Sequence, residues 1–317
     1  MAVTRADIDD AAARIAPLVR TTPVITVPGR ELGVEGTISL KLELLQHSGS
    51  FKARGATSFL LEADARPDGV VAASGGNHGA AVAWAARELG RPANIFVPTI
   101  SAEAKVERLR HYGATVHQVG AVYAEALAAS EAFLTDHDAT AVHAYEHELV
   151  VAGAGTTGRE FEAQAPPLDA VLVACGGGGL VAGVATWFAP AGAEPGNGDR
   201  GPAVVACETE GTAAYARALD AGQPVDVEIT GIAADALGAT RIGTIAWNQL
   251  RAAGTTGVVV TDDDVVAARA LLWDRFRIVT EPSAAVPVAA LLSGAFVVHP
   301  DQHVGVIVCG ANTAGPG

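Results

Sequence analysis

Lysine is nearly missing from this chain. Lys41, Lys52 and Lys105 are the only three in 317 residues, and arginine supplies the remaining positive charge. Acidic groups outnumber basic ones, 35 to 21, for a formal net charge of −14. That balance disfavours nucleic acid and anionic membrane surfaces as partners. Cysteine is as scarce. Cys175, Cys207 and Cys309 are odd in number and far apart, with no C-x-x-C pair, so neither a disulfide framework nor a zinc site is indicated. No apolar run reaches membrane-spanning length without glycine, proline or charge. The N-terminus, MAVTRADIDDAAARI, is too acidic and polar for a signal peptide. There is no internal repeat. A soluble, cytoplasmic protein is the expectation. Half of the residues are hydrophobic and only 18% are charged, so the chain can build a sizeable core, as two α/β domains or one large one.

Against that scarcity, Lys52 stands in QHSGSFKARGA, wrapped by Gly49, Ser50, Phe51, Ala53, Gly55 and Ala56. A lysine beside a low-dielectric pocket loses its charge more readily, because desolvation favours the neutral amine. Schiff-base chemistry with a carbonyl, pyridoxal phosphate above all, needs that amine. A lysine at the start of an exposed helix is the plain alternative. The cofactor's phosphate would need backbone N–H groups at a helix start. VLVACGGGGLVAGV supplies an apolar strand, four consecutive glycines and a helix-like continuation. The same glycines, Gly177-x-Gly179-x-x-Ala182 with Glu208 ending the next strand, also fit the loosest dinucleotide fingerprint. Two further strand-then-loop segments, VVAASGGNHG and VGVIVCGANT, provide polar loops. Ligands in open α/β sheets sit beyond the carboxyl ends of strands. Cys175 and Cys207 read as small buried hydrophobes there, and Cys309 as functional.

Thr4 as a cap, Asp7 three residues on, and Ile8, Ala12, Ile15 and Leu18 on one face predict a helix over 4–19. TTPVITV and TISLKLELL read as strands, and 55–62 as a helix. From 69 to 145, strand and helix alternate, which indicates a parallel sheet with helical crossovers. VLVAC, AVVAC, TGVVVT and VGVIVC are the clearest strands of the remainder. Residues 190–202, PAGAEPGNGDRGP, read as an exposed loop. His143, Glu146 and His147 match an H-x-x-E-H zinc pattern, but a strand-like run precedes them and the glycine-broken VVAGAGTTG follows, whereas zinc at that spacing needs a helix.

Together, SGSFKARGA, SGGNHG, CGGGGLVAG, VTEPSAA and CGANT resemble the serine/threonine dehydratase and serine racemase family, fold type II of the pyridoxal-phosphate enzymes. The match runs in order from about Asp7 to the C-terminus. The resemblance implies two open twisted α/β domains, tryptophan synthase β-like, with pyridoxal 5′-phosphate in the cleft between them. Residues 1–68 and 146–317 would form the large cofactor-binding domain, and 69–145 the small mobile one. It makes Lys52 the catalytic Schiff-base lysine. Gly176, Gly177, Gly178, Gly179 and Leu180 would hold the phosphate, with Phe51, Asn77 (beside the cofactor 3′-oxygen), Glu281 and Cys309 (opposite the pyridine nitrogen) around the ring. Ser74, Gly75, Gly76, Asn77 and His78 would take the carboxylate of a small amino-acid substrate. HAYEHELVVAGAGT resembles the family's interdomain segment rather than a metal site.

Two departures stand out. Ala236 follows Asp235 where the family's loop reads A-D-G, and Ala214 stands where relatives with a divalent-cation site have an aspartate, although Glu208 aligns. No metal is therefore expected. The implied reaction is β-elimination from L-threonine or L-serine to a 2-oxo acid and ammonia, by a homodimer. The nearest alternatives are a serine racemase, a 3-hydroxyaspartate dehydratase and a non-catalytic amino-acid-binding relative. A nucleotide-binding oxidoreductase is the rival from another class. Little racemisation is expected, since Gly75 stands where serine racemases carry a second proton donor. The sequence ends at Gly317, so hyperbolic kinetics without isoleucine inhibition are expected.

Overall fold

The computed structural model describes residues 2–189 and 201–313, so the expected loop at 190–202 lies almost wholly outside the described residues. Helix α1 (Arg5–Ile15) opens on a reciprocal cap. The Thr4 hydroxyl accepts from the Asp7 N–H, the Asp7 carboxylate accepts from the Thr4 N–H at 2.8 Å, and Ile8, Ala11 and Ile15 go to the core. Strands β1 (Val24–Pro28) and β2 (Thr37–Lys41) pair antiparallel. Helix α2 (Lys52–Glu62) then leads to a parallel run: β3 (Val70–Ala73), α3 (Asn77–Glu88), β4 (Ala93–Val97), α4 (Glu103–His111), β5 (Thr115–Gln118), α5 (Tyr123–Asp136) and β6 (Thr140–Ala141). These strands form a four-stranded sheet in the order β5-β4-β3-β6.

The chain then builds α6 (Glu148–Gln164), β7 (Ala170–Ala174), α7 (Gly179–Phe188), β8 (Ala203–Thr209), α8 (Ala214–Ala221), α9 (Ala234–Leu237) and α10 (Thr244–Ala252). It closes with β9 (Thr256–Val260), α11 (Asp262–Phe276), α12 (Pro282–Leu292) and β10 (His303–Ile307). The second sheet has six strands in the order β1-β2-β10-β7-β8-β9, parallel except at β1–β2. This is an α/β fold with two parallel-sheet units. From β7 the chain lays β8 and β9 to one side, whereas β10 returns on the other. The strand order thus reverses between β7 and β10, and the crevice beyond their carboxyl ends is where such sheets hold ligands.

Several placements differ from what the sequence led us to expect. The helix expected over 4–19 ends at Ile15, and the one expected over 55–62 begins at Lys52. VVAGAGTTG is unbroken helix, the middle of the 17-residue α6. Its glycines are there for approach. A Cβ on Gly153 would lie 2.7 Å from the Arg54 carbonyl oxygen of α2, and one on Gly155 would lie 2.9 Å from the Gly183 carbonyl oxygen of α7. Each glycine costs roughly 1 kcal/mol of helix propensity, and close packing of three helices offsets it. Helix α2 also faces both units, because Ala53, Ala56, Phe59 and Leu60 join the core of the four-stranded sheet while its start is held by the six-stranded one.

Candidate active site

Lys52 opens α2, and the end of β10 fixes that start. Ser50 bridges to Gly310, and the Phe51 N–H donates to the Cys309 carbonyl oxygen at 3.0 Å. The Lys52 ammonium donates to the Ala144 carbonyl oxygen at 2.7 Å. Burial pulls its pKa down to about 8, against the opposing pull of Cys309 and Glu281. The other two lysines are engaged differently. Lys41 is buried, but it donates to Glu160 at 2.5 Å and to Gln164 at 2.6 Å. Lys105 pairs with Asp235 at 2.6 Å on the surface.

The glycine loop follows β7 and leads into the N-terminus of α7. Gly178 caps that helix with φ of 87°, a left-handed conformation that a side chain would strain. A Cβ on Gly177 would fall 2.5 Å from the Tyr145 ring, which lies against the loop. Gly176, Gly177, Gly178, Gly179 and Leu180 line one cavity together with Phe51, Lys52, Asn77, Glu281 and Cys309. Every cofactor-directed residue expected from the sequence is thus brought to one place. Burial pushes the Cys309 thiol well up, so it is neutral. Cys175 and Cys207 lie in the core of the six-stranded sheet.

The loop 74–76 precedes α3, with Gly76 as its cap. Gly76 donates its N–H to the Ser74 hydroxyl at 3.3 Å, and a Cβ on Gly79 would collide with the Ser74 carbonyl oxygen, so the loop sits tightly on the helix. His78 is buried with its Nε2 2.8 Å from the Val142 carbonyl oxygen, and burial lowers its pKa to about 3. It is neutral and anchored by that contact. Asn77 donates to Glu281 at 2.6 Å, Ser283 donates to the same carboxylate oxygen at 2.7 Å, and the Asn312 N–H donates to the other at 3.2 Å. Burial pushes the Glu281 carboxyl above its ordinary range, and those three donors oppose it. Asn312 also donates its side-chain amide to Asn77 and, at 2.9 Å, to the Ser48 carbonyl oxygen.

Other expected positions lie elsewhere. Asp235 turns its carboxylate to Lys105, and Ala236 beside it lines the cavity. Arg241 pairs bidentately with Asp226 at the surface. Glu208 caps α8, accepting from the Tyr215 and Ala216 N–H groups at 2.7 and 2.8 Å, and burial raises its pKa to about 7. His143, Glu146 and His147 do not share a helix. His143 Nδ1 accepts from the Glu146 N–H at 2.9 Å, Glu146 accepts from the Ile245 N–H at 2.9 Å, and His147 caps α6. Among the described residues, no group of three or more His, Cys, Asp or Glu is placed to hold a metal ion. Sequence reasoning missed Tyr145, Ser283 and the Ala144 carbonyl oxygen. The HAYEH segment that supplies two of them reads locally as a zinc pattern, and its ring-to-glycine contact has no local signature.

Residues 15–310 match the family model described as "Pyridoxal-phosphate dependent enzyme". The phenylserine dehydratase of Ralstonia pickettii is 39% identical over 95% of this chain and 90% of its own length. The biosynthetic L-threonine dehydratase of Mycobacterium leprae is 34% identical over 98% of this chain and 72% of its own. Among solved structures, the serine racemase of maize superposes with a TM-score of 0.90 at 30% identity, covering 99% of this chain and 94% of its own. With a half-buried lysine of lowered pKa lining one cavity with a glycine cup at the switch point of the larger sheet, the chain belongs to the pyridoxal-phosphate dependent enzymes, in the group of serine/threonine dehydratases and serine racemases.

Proposed function

We propose that this enzyme removes water from β-hydroxy-α-amino acids, L-threonine or L-serine first, to give a 2-oxo acid and ammonia. The observation that carries the reading is Lys52, a buried amine with a depressed pKa in the same cavity as the glycine cup. The residues present fit the cofactor. Side chains at Gly177 and Gly178 would collide with Tyr145 and Ala246, so the loop's N–H groups stay bare at the positive end of the ten-residue α7. When bound, pyridoxal phosphate supplies an electron sink for the charge that develops at the substrate α-carbon.

The remaining roles belong to this chain. The glycine cup anchors the phosphate. The loop 74–78, at the N-terminal end of α3, receives the substrate carboxylate. The Lys52 amine takes the α-proton, that proton and the β-hydroxyl leave together as water, and the enamine set free takes up a water to give the 2-oxo acid and ammonia. The neutral Cys309 thiol, which the family resemblance sets opposite the ring nitrogen, would put no charge there, and that would favour rapid loss of the β-substituent over prolonged carbanion storage. Assaying 2-oxo acid release from serine, threonine, 3-hydroxyaspartate and phenylserine, the substrate named for the Ralstonia pickettii relative, tests the reading. Bound cofactor with no 2-oxo acid from any of them would point to a binding protein instead. A cytoplasmic homodimer with a large domain of 1–68 and 146–317 and a mobile domain of 69–145 completes the proposal, supported by the family resemblance and the separate four-stranded sheet.

Capture of the cofactor should depend on pH. With Lys52 at about 8, about one amine in ten is neutral at pH 7. The rate at which apoprotein takes up pyridoxal phosphate should rise close to tenfold per pH unit and level off above about pH 8. Stopped-flow absorbance reads it. A rate still climbing towards the pH of an ordinary lysine would contradict the burial argument.

Elimination is favoured over racemisation by Gly75, which has no side chain to deliver a proton to the face opposite Lys52. The structure leaves room for one, because a Cβ there meets Val97 at 3.4 Å and Ser101 at 3.8 Å, both ordinary contacts or nearly so. Gly75→Ser should therefore fold and raise the D-serine formed from L-serine relative to 2-oxo acid. A chiral assay in which the unaltered enzyme already makes D-serine as fast as 2-oxo acid would overturn the assignment.

A further inference from the structure

Helix α4 belongs to the four-stranded sheet, yet two of its side chains, Lys105 and Arg108, cross to the other unit. They differ in kind. Lys105 and Asp235 form a surface pair, 33% and 60% exposed, and such pairs contribute little. Arg108 is half-buried, and its Nη1 donates at 2.6 Å to the side-chain oxygen of Asn312. A guanidinium can only donate, so it makes the Asn312 oxygen face α4 and the amide nitrogen face away. That nitrogen then donates to Ser48 and Asn77, and Asn77 in turn donates to Glu281. A permanent cation stands at one end of this chain of hydrogen bonds and a carboxylate at the other, so every donor direction between them is set.

The Arg108 Nε is buried without a partner among the described residues. An orphaned N–H carries a desolvation cost that an apolar residue would avoid, so a charged side chain at this place calls for a reason other than stability.

We propose that Arg108 is a positioning residue, which aligns Asn312 and through it Asn77 at the ring edge of the cofactor site when α4 lies against the larger unit. The inference rests on the elimination site proposed above. The phosphate cup is independent of this chain of hydrogen bonds, so cofactor affinity should be spared while ring environment and catalysis change.

The test uses the cofactor-loaded enzyme. Arg108→Met keeps length and removes every donor. It should bind pyridoxal phosphate within about twofold of the unaltered enzyme, shift the absorption band of the bound cofactor in the absence of substrate, and lower kcat about tenfold to a hundredfold, with a smaller change in KM. Arg108→Lys, which restores one donor, should recover most of the band position and rate. Asn312→Ala should reproduce the Arg108→Met spectrum, and the double variant should be no worse than Asn312→Ala alone. Lys105→Ala should leave the band where it was. An unshifted band in Arg108→Met, or losses that multiply in the double variant, would overturn the proposal. Should Arg108→Met not fold, Arg108→Lys and Asn312→Ala carry the same comparison. Failure of the unaltered enzyme to show any cofactor band would instead defeat the site itself.

Discussion

Lys52→Ala should lower turnover by about four orders of magnitude or more, because one change removes both the Schiff-base nucleophile and the amine that moves the α-proton. The glycine cup does not depend on that amine. Residual phosphate-anchored cofactor binding should therefore survive, visible as a free-aldehyde spectrum in place of the lysine-linked band. The environment explains why this lysine and not another. Lys41 is fully buried, but burial there is opposed by Glu43 and Glu160, and its ammonium is held by carboxylate, amide and carbonyl oxygens. Lys105 sits in a surface ion pair. A Lys52→Ala enzyme with near-normal release of 2-oxo acid would remove the basis of the mechanism.

Arg54→Met should destabilise the fold by about 3–5 kcal/mol, the cost of stranding a buried charge. Arg54 lies on α2, two residues beyond Lys52, and is 1% exposed. Its guanidinium donates to both oxygens of the fully buried Glu43, at 2.8 and 2.7 Å, and to Glu160 at 3.0 Å. Burial alone would push Glu43 up, but the Arg54 charge outweighs it and holds the carboxyl below its ordinary value. The sign follows from that direction. A depressed carboxyl stabilises the fold above its unfolded-state pKa, and the contribution is lost as pH falls through and below the carboxylate range. Without Arg54, burial dominates and Glu43 rises, so acid relieves the stranded charge. The deficit of Arg54→Met in chemical denaturation should therefore be largest near neutrality and shrink as the pH is lowered. An unchanged midpoint at neutral pH would show that the cluster is not what secures α2, and with it Lys52.

Much of the candidate site's layout was legible because its signals are local. Lys52 among glycine and alanine, and four glycines between an apolar strand and a helix, each stand out within a dozen residues, although each alone left an alternative that only the five motifs together narrowed. The strand-ending cysteines differ in what they line, which strand position does not tell. Cys309, after β10, lines the cavity with Lys52, whereas Cys175, after β7 at the same switch point, and Cys207, within β8, pack in the core. What was not legible is long-range. Asn77 meets Glu281 across 204 residues and Asn312 across 235, and Arg108 meets Asn312 across 204. No period or spacing reports such contacts. Lys41, Glu43 and Arg54 read as ordinary charges near β2 and α2, and only the fold puts them with Glu160 out of water. Helix α6 is obscure in the sequence for a related reason. Glycine breaks an isolated helix, but here the neighbouring backbones of α2 and α7 require it.

The most direct measurement is to reduce the cofactor-loaded enzyme with borohydride and locate the label by peptide mass spectrometry. The label should fall on Lys52, within the SGSFKARGA segment. A label on Lys41 or Lys105, or none on a protein that still releases 2-oxo acid, would contradict the assignment of Lys52 as the Schiff-base lysine.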